Sequence, residues 1–276
     1  MEPSKILSGF NSAQFTEVYC GVCGAQAFIA PNAKDCICTY CEAYLAPGMQ
    51  KSGYSQQFGA VHELIRQGKV DDAAKALDAI DPGTDPVRHY ALSSMYSCLS
   101  DMRYADVSYA LPGFMHQNAD SRNDEYDKNP NNSMRLLSRS KELLFHAIYI
   151  INDQLKSNDA ALLYIEFMSE IKLDRHAKAA KLLEKLNTVA GNELQASYAN
   201  MVYAVETGGE EADAYLSDLL ARKELPSLYY LARHLVSKKE LAHAGKVLRL
   251  LGGKADMPRA LRLLKKIEAV EEATRL

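Results

Sequence analysis

Ala73-Ala-Lys-Ala-Leu-Asp-Ala-Ile80 is nearly copied further along the chain by Ala179-Ala-Lys-Leu-Leu-Glu-Lys-Leu186. In both, apolar residues return at steps of three and four, the spacing of one face of an α-helix. Weaker copies are Ala212-Asp-Ala-Tyr-Leu-Ser-Asp-Leu219 and Ala244-Gly-Lys-Val-Leu-Arg-Leu-Leu251. The starts at 179, 212 and 244 are 33 and 32 residues apart, and Ala105 stands 32 residues after Ala73. A period in the low thirties is one helical hairpin, which buries its apolar face by stacking on the next.

The same helical spacing continues between the copies. Leu144, Ala147/Ile148, Ile151 and Leu155 mark one long face, and Leu194, Tyr198, Met201/Val202 and Val205 another. Asn158-Asp159 and Asn192 suit helix N-caps, and Pro226 and Pro258 suit first turns. Gly68, Asp174, Gly208-Gly209 and Lys238-Lys239 divide the helices into hairpins. The stretch Leu64-x3-Gly68-Lys-Val70-x2-Ala73-x3-Leu77-x2-Ile80 resembles the tetratricopeptide repeat. The resemblance covers residues 54–256, with no tryptophan and with 74 rather than 64 to 68 residues between Ala105 and Ala179. It implies a mostly all-α fold, a right-handed superhelix of helical hairpins. A last helix from Pro258 to Thr274 would cap it, with Glu268, Glu271 and Glu272 outward. The polar stretch 116–132 shows no period and is expected to be a loop.

One position in the repeat is aromatic each time. Phe58, Tyr90, Tyr164 and Tyr229 each stand fifteen residues before an anchor alanine, and Tyr198 stands fourteen before Ala212. In a tetratricopeptide register this place faces the concave groove, where amphipathic rings suit a protein partner. The alternative is that the rings pack between neighbouring helices.

Upstream of the helices lie Cys20-Gly-Val-Cys23 and Cys38-Thr-Tyr-Cys41, fourteen residues apart. Two such pairs on a hairpin supply four soft ligands to one tetrahedral metal ion. Phe15–Tyr19 and Ala27–Ala30 read as short strands, Pro31–Asp35 as a turn and Cys36–Cys38 as the return strand. These residues resemble a zinc ribbon of the rubredoxin-like knuckle type, implying structural zinc on Cys20, Cys23, Cys38 and Cys41. Iron remains open from the ligand set alone. Gly24 follows the first pair where a knuckle needs a left-handed backbone; Glu42 stands at that place after the second. Cys36 and Cys98 are expected to be packed thiols. The chain therefore divides into a ribbon at 1–48, a linker at 49–53 and helical repeats at 54–276, with separate cores for ribbon and helices.

Composition fits a soluble, cytoplasmic protein: 276 residues, 24% charged, 47% hydrophobic, and cysteines mostly in metal spacing. Charge is uneven under a net −3. Arg222–Lys266 holds twelve Lys/Arg against three Asp/Glu, including Lys238, Lys239, Lys265 and Lys266. No metalloprotease, phosphate-loop, dinucleotide, nucleophile-elbow or deaminase motif occurs, so no catalytic residues are assigned and the protein is expected not to be an enzyme. The expected function is a protein-binding adaptor or scaffold with no membrane partner. The alternatives are a nucleic-acid or ribosome binder using the basic third, or an iron electron carrier.

Overall fold

The computed structural model describes residues 3–47, 54–109, 133–155, 158–191, 193–255 and 257–273. The expected linker 49–53, the stretch 116–132 and the capping residue Asn192 lie outside them. Among the described residues, twelve helices and two small antiparallel sheets at the N-terminus make a mostly-α fold.

The N-terminal unit opens with a helix that the sequence reading did not foresee, α1 (Pro3–Asn11). Four strands follow: β1 (Thr16–Tyr19), β2 (Gln26–Ile29), β3 (Cys36–Ile37) and β4 (Tyr44–Leu45). The pairing differs from the expected hairpin across Pro31–Asp35. β1 pairs with β2, Thr16 opposite Ile29 and Tyr19 opposite Gln26, and β3 pairs with β4, Cys36 opposite Leu45. The reason is local. Gly24 N–H donates to Cys20 O at 2.8 Å and Cys20 N–H to Ala25 O at 2.8 Å, so the chain reverses inside the Cys-x-x-Cys itself. Glu42 N–H to Cys38 O and Cys38 N–H to Ala43 O, both 2.9 Å, repeat the turn in the second pair. Each knuckle is thus the tip of its own hairpin.

The helices are α2 (Tyr54–Arg66), α3 (Val70–Asp78), α4 (Pro86–Tyr109), α5 (Ser133–Tyr149), α6 (Ala160–Lys172), α7 (His176–Ala190), α8 (Leu194–Thr207), α9 (Ala212–Ala221), α10 (Ser227–Ser237), α11 (Leu241–Gly252) and α12 (Pro258–Ala273). Anchors Ala73, Ala179, Ala212 and Ala244 fall in α3, α7, α9 and α11 and are fully buried. The expected hairpin points hold: Gly68, Asp174, Gly208 and Lys239 all take a left-handed backbone, φ 58° to 70°. Asp159 caps α6 by accepting from the N–H groups of Ala161 (2.9 Å) and Leu162 (3.2 Å).

Ala105 is an exception. It lies within the single helix α4, whose antiparallel partner is α5, so no second helix starts there. The face read from Leu144 to Leu155 is also interrupted. Ile150–Leu155 widens into a π-helical turn, and Leu155 is half exposed. Asn152 in that turn donates to Ile148 O at 3.1 Å and to Glu166 Oε1 at 2.6 Å, tying the turn to α6.

Consecutive helices pack from α6 to α12, and the alternate helices α4, α6, α8 and α10 lie side by side. α12, expected as an end cap, packs on α11 and also on α4, so the array closes into a circuit. Arg262 on α12 holds Asp101 on α4 at 2.5 Å. The N-terminal unit sits within this circuit. Ile37, Leu45 and the four knuckle cysteines belong to the same buried cluster as Tyr164, Tyr198 and Leu228. The expectation of two separate cores is therefore corrected. A unit this small buries too little apolar surface alone and completes its core against the helices.

A candidate metal centre anchored by Glu42

The knuckles bring Cys20, Cys23, Cys38 and Cys41 together, with their sulfur atoms all within 4.8 Å of one another and all four side chains buried. Cys20 Sγ lies 3.7 Å from Cys41 Sγ, and Cys23 Sγ 3.8 Å from Cys38 Sγ. A regular tetrahedron with metal–sulfur bonds of ~2.3 Å has edges of ~3.8 Å. The residues therefore fit a metal ion. Burial, then hydrogen bonds to neighbouring sulfurs, pushes the Cys23 thiol well above its ordinary pKa, whereas at Cys38 burial is outweighed by hydrogen bonds from the other three sulfurs, which hold it well below. Thiols crowded in this way ionise together only around a cation. Cys36 stays outside the quartet, and burial, with Glu224 beside it, pushes its thiol up. It is a packed thiol, as is Cys98 in α4.

The second knuckle ends at Glu42, whose φ of 65° parallels the 73° of Gly24 after the first. A side chain in this conformation costs about 1 kcal/mol relative to glycine. The cost is offset by where the carboxylate goes. Tyr198 on α8 and Tyr230 on α10 donate to Oε1 at 2.9 and 2.8 Å. Arg259 on α12 pairs with Oε2, and Lys172, ending α6, lies 3.7 Å from the same oxygen. The backbone is held by the same helices. Tyr164 on α6 donates to Glu42 O and Tyr90 on α4 to Cys41 O, both at 2.7 Å. Lys172 Nζ donates to Cys41 O at 3.3 Å and to Tyr90 Oη at 2.9 Å. Helices α4, α6, α8, α10 and α12 thus all converge on two residues of the N-terminal unit.

Glu42 is 1% exposed, and burial alone would raise its pKa. Arg259 and Lys172 outweigh burial and hold the carboxyl at about 2. The carboxylate is ionised at neutral pH and faces two cations. Burial and the nearby Glu42 charge push the phenols of Tyr90, Tyr164 and Tyr198 well up, so they remain donors.

The first knuckle meets a different helix. His62 on α2 places Nε2 2.8 Å from Cys23 O and stacks edge-on against Tyr40, ring centres 4.7 Å apart. Beside the second hairpin, Ile37 N–H donates to Glu224 at 3.3 Å, and burial lifts that carboxyl to about 8.

The aromatic positions divide. Tyr90 and Tyr164 do point inward, but the chain's own N-terminal unit covers them. Phe58 is fully buried in the core. Tyr229 is half-buried, with Arg259 over its ring at 4.6 Å, and its neighbour Tyr230 reaches Glu42 instead. Tyr230 stands fourteen residues before Ala244, the offset of Tyr198 before Ala212. One residue is a turn of about 100° on a helix, enough to send Tyr229 aside. The basic quartet divides as well. Lys238 pairs with Asp213 at 2.8 Å, Lys239 forms the left-handed turn after α10, and Lys265 and Lys266 lie on α12.

Glu42, Lys172, Arg259 and His62 were missed as site residues. A sequence signal existed for one of them: Glu42 occupies the place where the first knuckle has Gly24. No family model, curated protein or solved structure matches this chain.

Proposed function

We propose that this protein is a non-enzymatic adaptor, a helical scaffold shaped from within by a structural zinc site, whose partners bind its outer surface. The observation that carries this reading is the convergence of five helices on Cys41 and Glu42. Tyr90 and Tyr164, expected to grip a partner in an open groove, instead hold the cysteine unit together with Tyr198 and Tyr230. Four buried thiolates leave no open coordination position, which suits a structural ion better than a catalytic one. Outer apolar groups are available on α5, where Phe145 and Tyr149 lie one turn apart and are 51% and 53% exposed.

The test is affinity capture of the tagged, metal-loaded protein from its native source, with elemental analysis of the same sample. One zinc per chain and a stoichiometric protein partner, lost in a Phe145→Asp/Tyr149→Asp variant of unchanged melting temperature, are expected. Capture abolished by nuclease and by charge reversal at Lys265 and Lys266 would replace this reading with nucleic-acid binding. Iron in place of zinc would replace it with electron transfer.

A further inference from the structure

Beside the Glu42 cluster, between α4, α5, α10 and α12, opens a cleft of about 710 Å³, a size suited to a small molecule. Its lining carries six cationic side chains, Lys141, Lys172, Arg233, Arg259, Arg262 and Lys266. Four carboxylates, Glu42, Asp101, Asp174 and Glu206, line it too, so six positive against four negative charges leave +2. Several of these are already paired: Arg259 and Lys172 with Glu42, Arg262 with Asp101, Arg233 with Glu206. The surplus is nonetheless real, because Glu42 serves two cations and Lys141 makes no ion pair among the described residues, while the charges of Lys266 and Asp174 offset each other in the count.

The hydrogen-bond inventory points the same way. Arg259 reaches Glu42 through Nη1 alone; its Nε and Nη2 are buried and have no acceptor. A guanidinium carries five N–H donors in a planar fork suited to bidentate oxyanions. Unmet donors on a buried cation are costly unless something accepts from them. Tyr229 holds Arg259 and Arg233 near its ring, at 4.6 and 6.0 Å, which fixes both at the wall. Leu137, Leu144, Met257 and Leu263 form an apolar part of the lining.

We propose that this cleft binds a small phosphate monoester, its dianionic head on the Arg259 side and an apolar body against the leucines. A phosphate monoester carries about −1.5 to −2 at pH 7, which matches the +2 where a monocarboxylate would leave half of it unbalanced. The proposal is independent of the adaptor reading, since it concerns a small ligand inside the scaffold.

Calorimetric titration of the metal-loaded protein with phenyl phosphate, inorganic phosphate and phenylacetate, at constant ionic strength, tests it. Phenyl phosphate should bind at least tenfold more tightly than phenylacetate, and its affinity should fall as pH drops below ~6, where the second charge is lost. Inorganic phosphate should bind more weakly than phenyl phosphate if the apolar wall is read. Equal affinities for the two phosphates would remove the apolar body from the proposal. Lys141→Gln/Lys266→Gln, both exposed, should lower phenyl phosphate affinity at least tenfold at an unchanged melting temperature, and Lys141→Arg/Lys266→Arg should retain it. No heat at millimolar phenyl phosphate, equal binding of phenylacetate, or no loss in the glutamine variant overturns the site.

Discussion

The two Cys-x-x-Cys turns have one backbone pattern and different surroundings. The first is followed by Gly24, which takes a left-handed φ without strain, and it meets His62 on α2. The second is followed by Glu42 in the same conformation, and its contacts reach five helices. The difference teaches that metal binding alone does not account for the second knuckle. It is at once half of a candidate metal site and the internal ligand of the helical circuit, accepting local backbone strain for a buried ionic anchor.

Losing the quartet should have the largest effect, because both knuckles then fail together. Replacing Cys38 with serine, or stripping the metal with a chelator, should unfold the helices along with the β unit. Structural zinc contributes roughly 10–16 kcal/mol in small peptides, comparable with the whole stability of a domain. Far-UV circular dichroism during thermal melting is the measurement. Native helicity and an unchanged midpoint in the Cys38→Ser protein would show that the helices hold themselves, and the comparison between knuckles would lose its meaning.

Glu42→Gln should come next and should act on the second knuckle alone. It leaves Arg259 and Lys172 without their counter-charge, a change costing about 3–5 kcal/mol, while the metal content stays at the wild-type level. The pH dependence gives a second readout. The folded-state pKa is depressed, from 4.5 to about 2. Its contribution is therefore fully present above ~4.5 and is lost as pH falls toward ~2, about 3 kcal/mol over that window. Acid also releases metal from thiolates, so the informative quantity is the stability difference between wild type and Glu42→Gln. That difference should shrink between pH 5 and pH 2; a difference constant with pH would remove the carboxylate charge from the account.

Gly24→Ala should have the smallest effect, about 1 kcal/mol from placing a Cβ at positive φ, seen as a small drop in melting temperature. A loss as large as that of Glu42→Gln would mean that the first knuckle carries more than its local turn.

Much of this was legible in the sequence. The repeat copies around Ala73, Ala179, Ala212 and Ala244 mark buried helix faces because helical periodicity is a short-range signal. The cysteine quartet is legible because two Cys-x-x-Cys turns have few geometric uses. The strand pairing was misread because the knuckle's own hydrogen bonds reverse the chain sooner than Pro31–Asp35. The continuous α4 was missed because an alanine at the right period does not mark a helix break. What covers Tyr90 and Tyr164 was hidden for a different reason. The partner lies in the same chain, at a separation of 122 residues between Tyr164 and Glu42, and no local pattern encodes such a meeting. Tyr230 was overlooked beside Tyr229 because a single helical step decides which ring points inward.

The closing of the helical circuit on Glu42 has a consequence for how the protein comes to be. Tyr230 follows Glu42 by 188 residues, and Arg259 comes later still. On a ribosome adding ~5–20 residues per second, the carboxylate emerges many seconds before those two partners exist. Contacts of such sequence separation slow folding, because the intervening loop entropy is lost before they form. The early chain must therefore keep a charged side chain in solvent and withdraw it only when the later helices arrive. Burial of Glu42 becomes a late event of maturation, and the metal, if captured first, holds the knuckle in its left-handed shape while it waits.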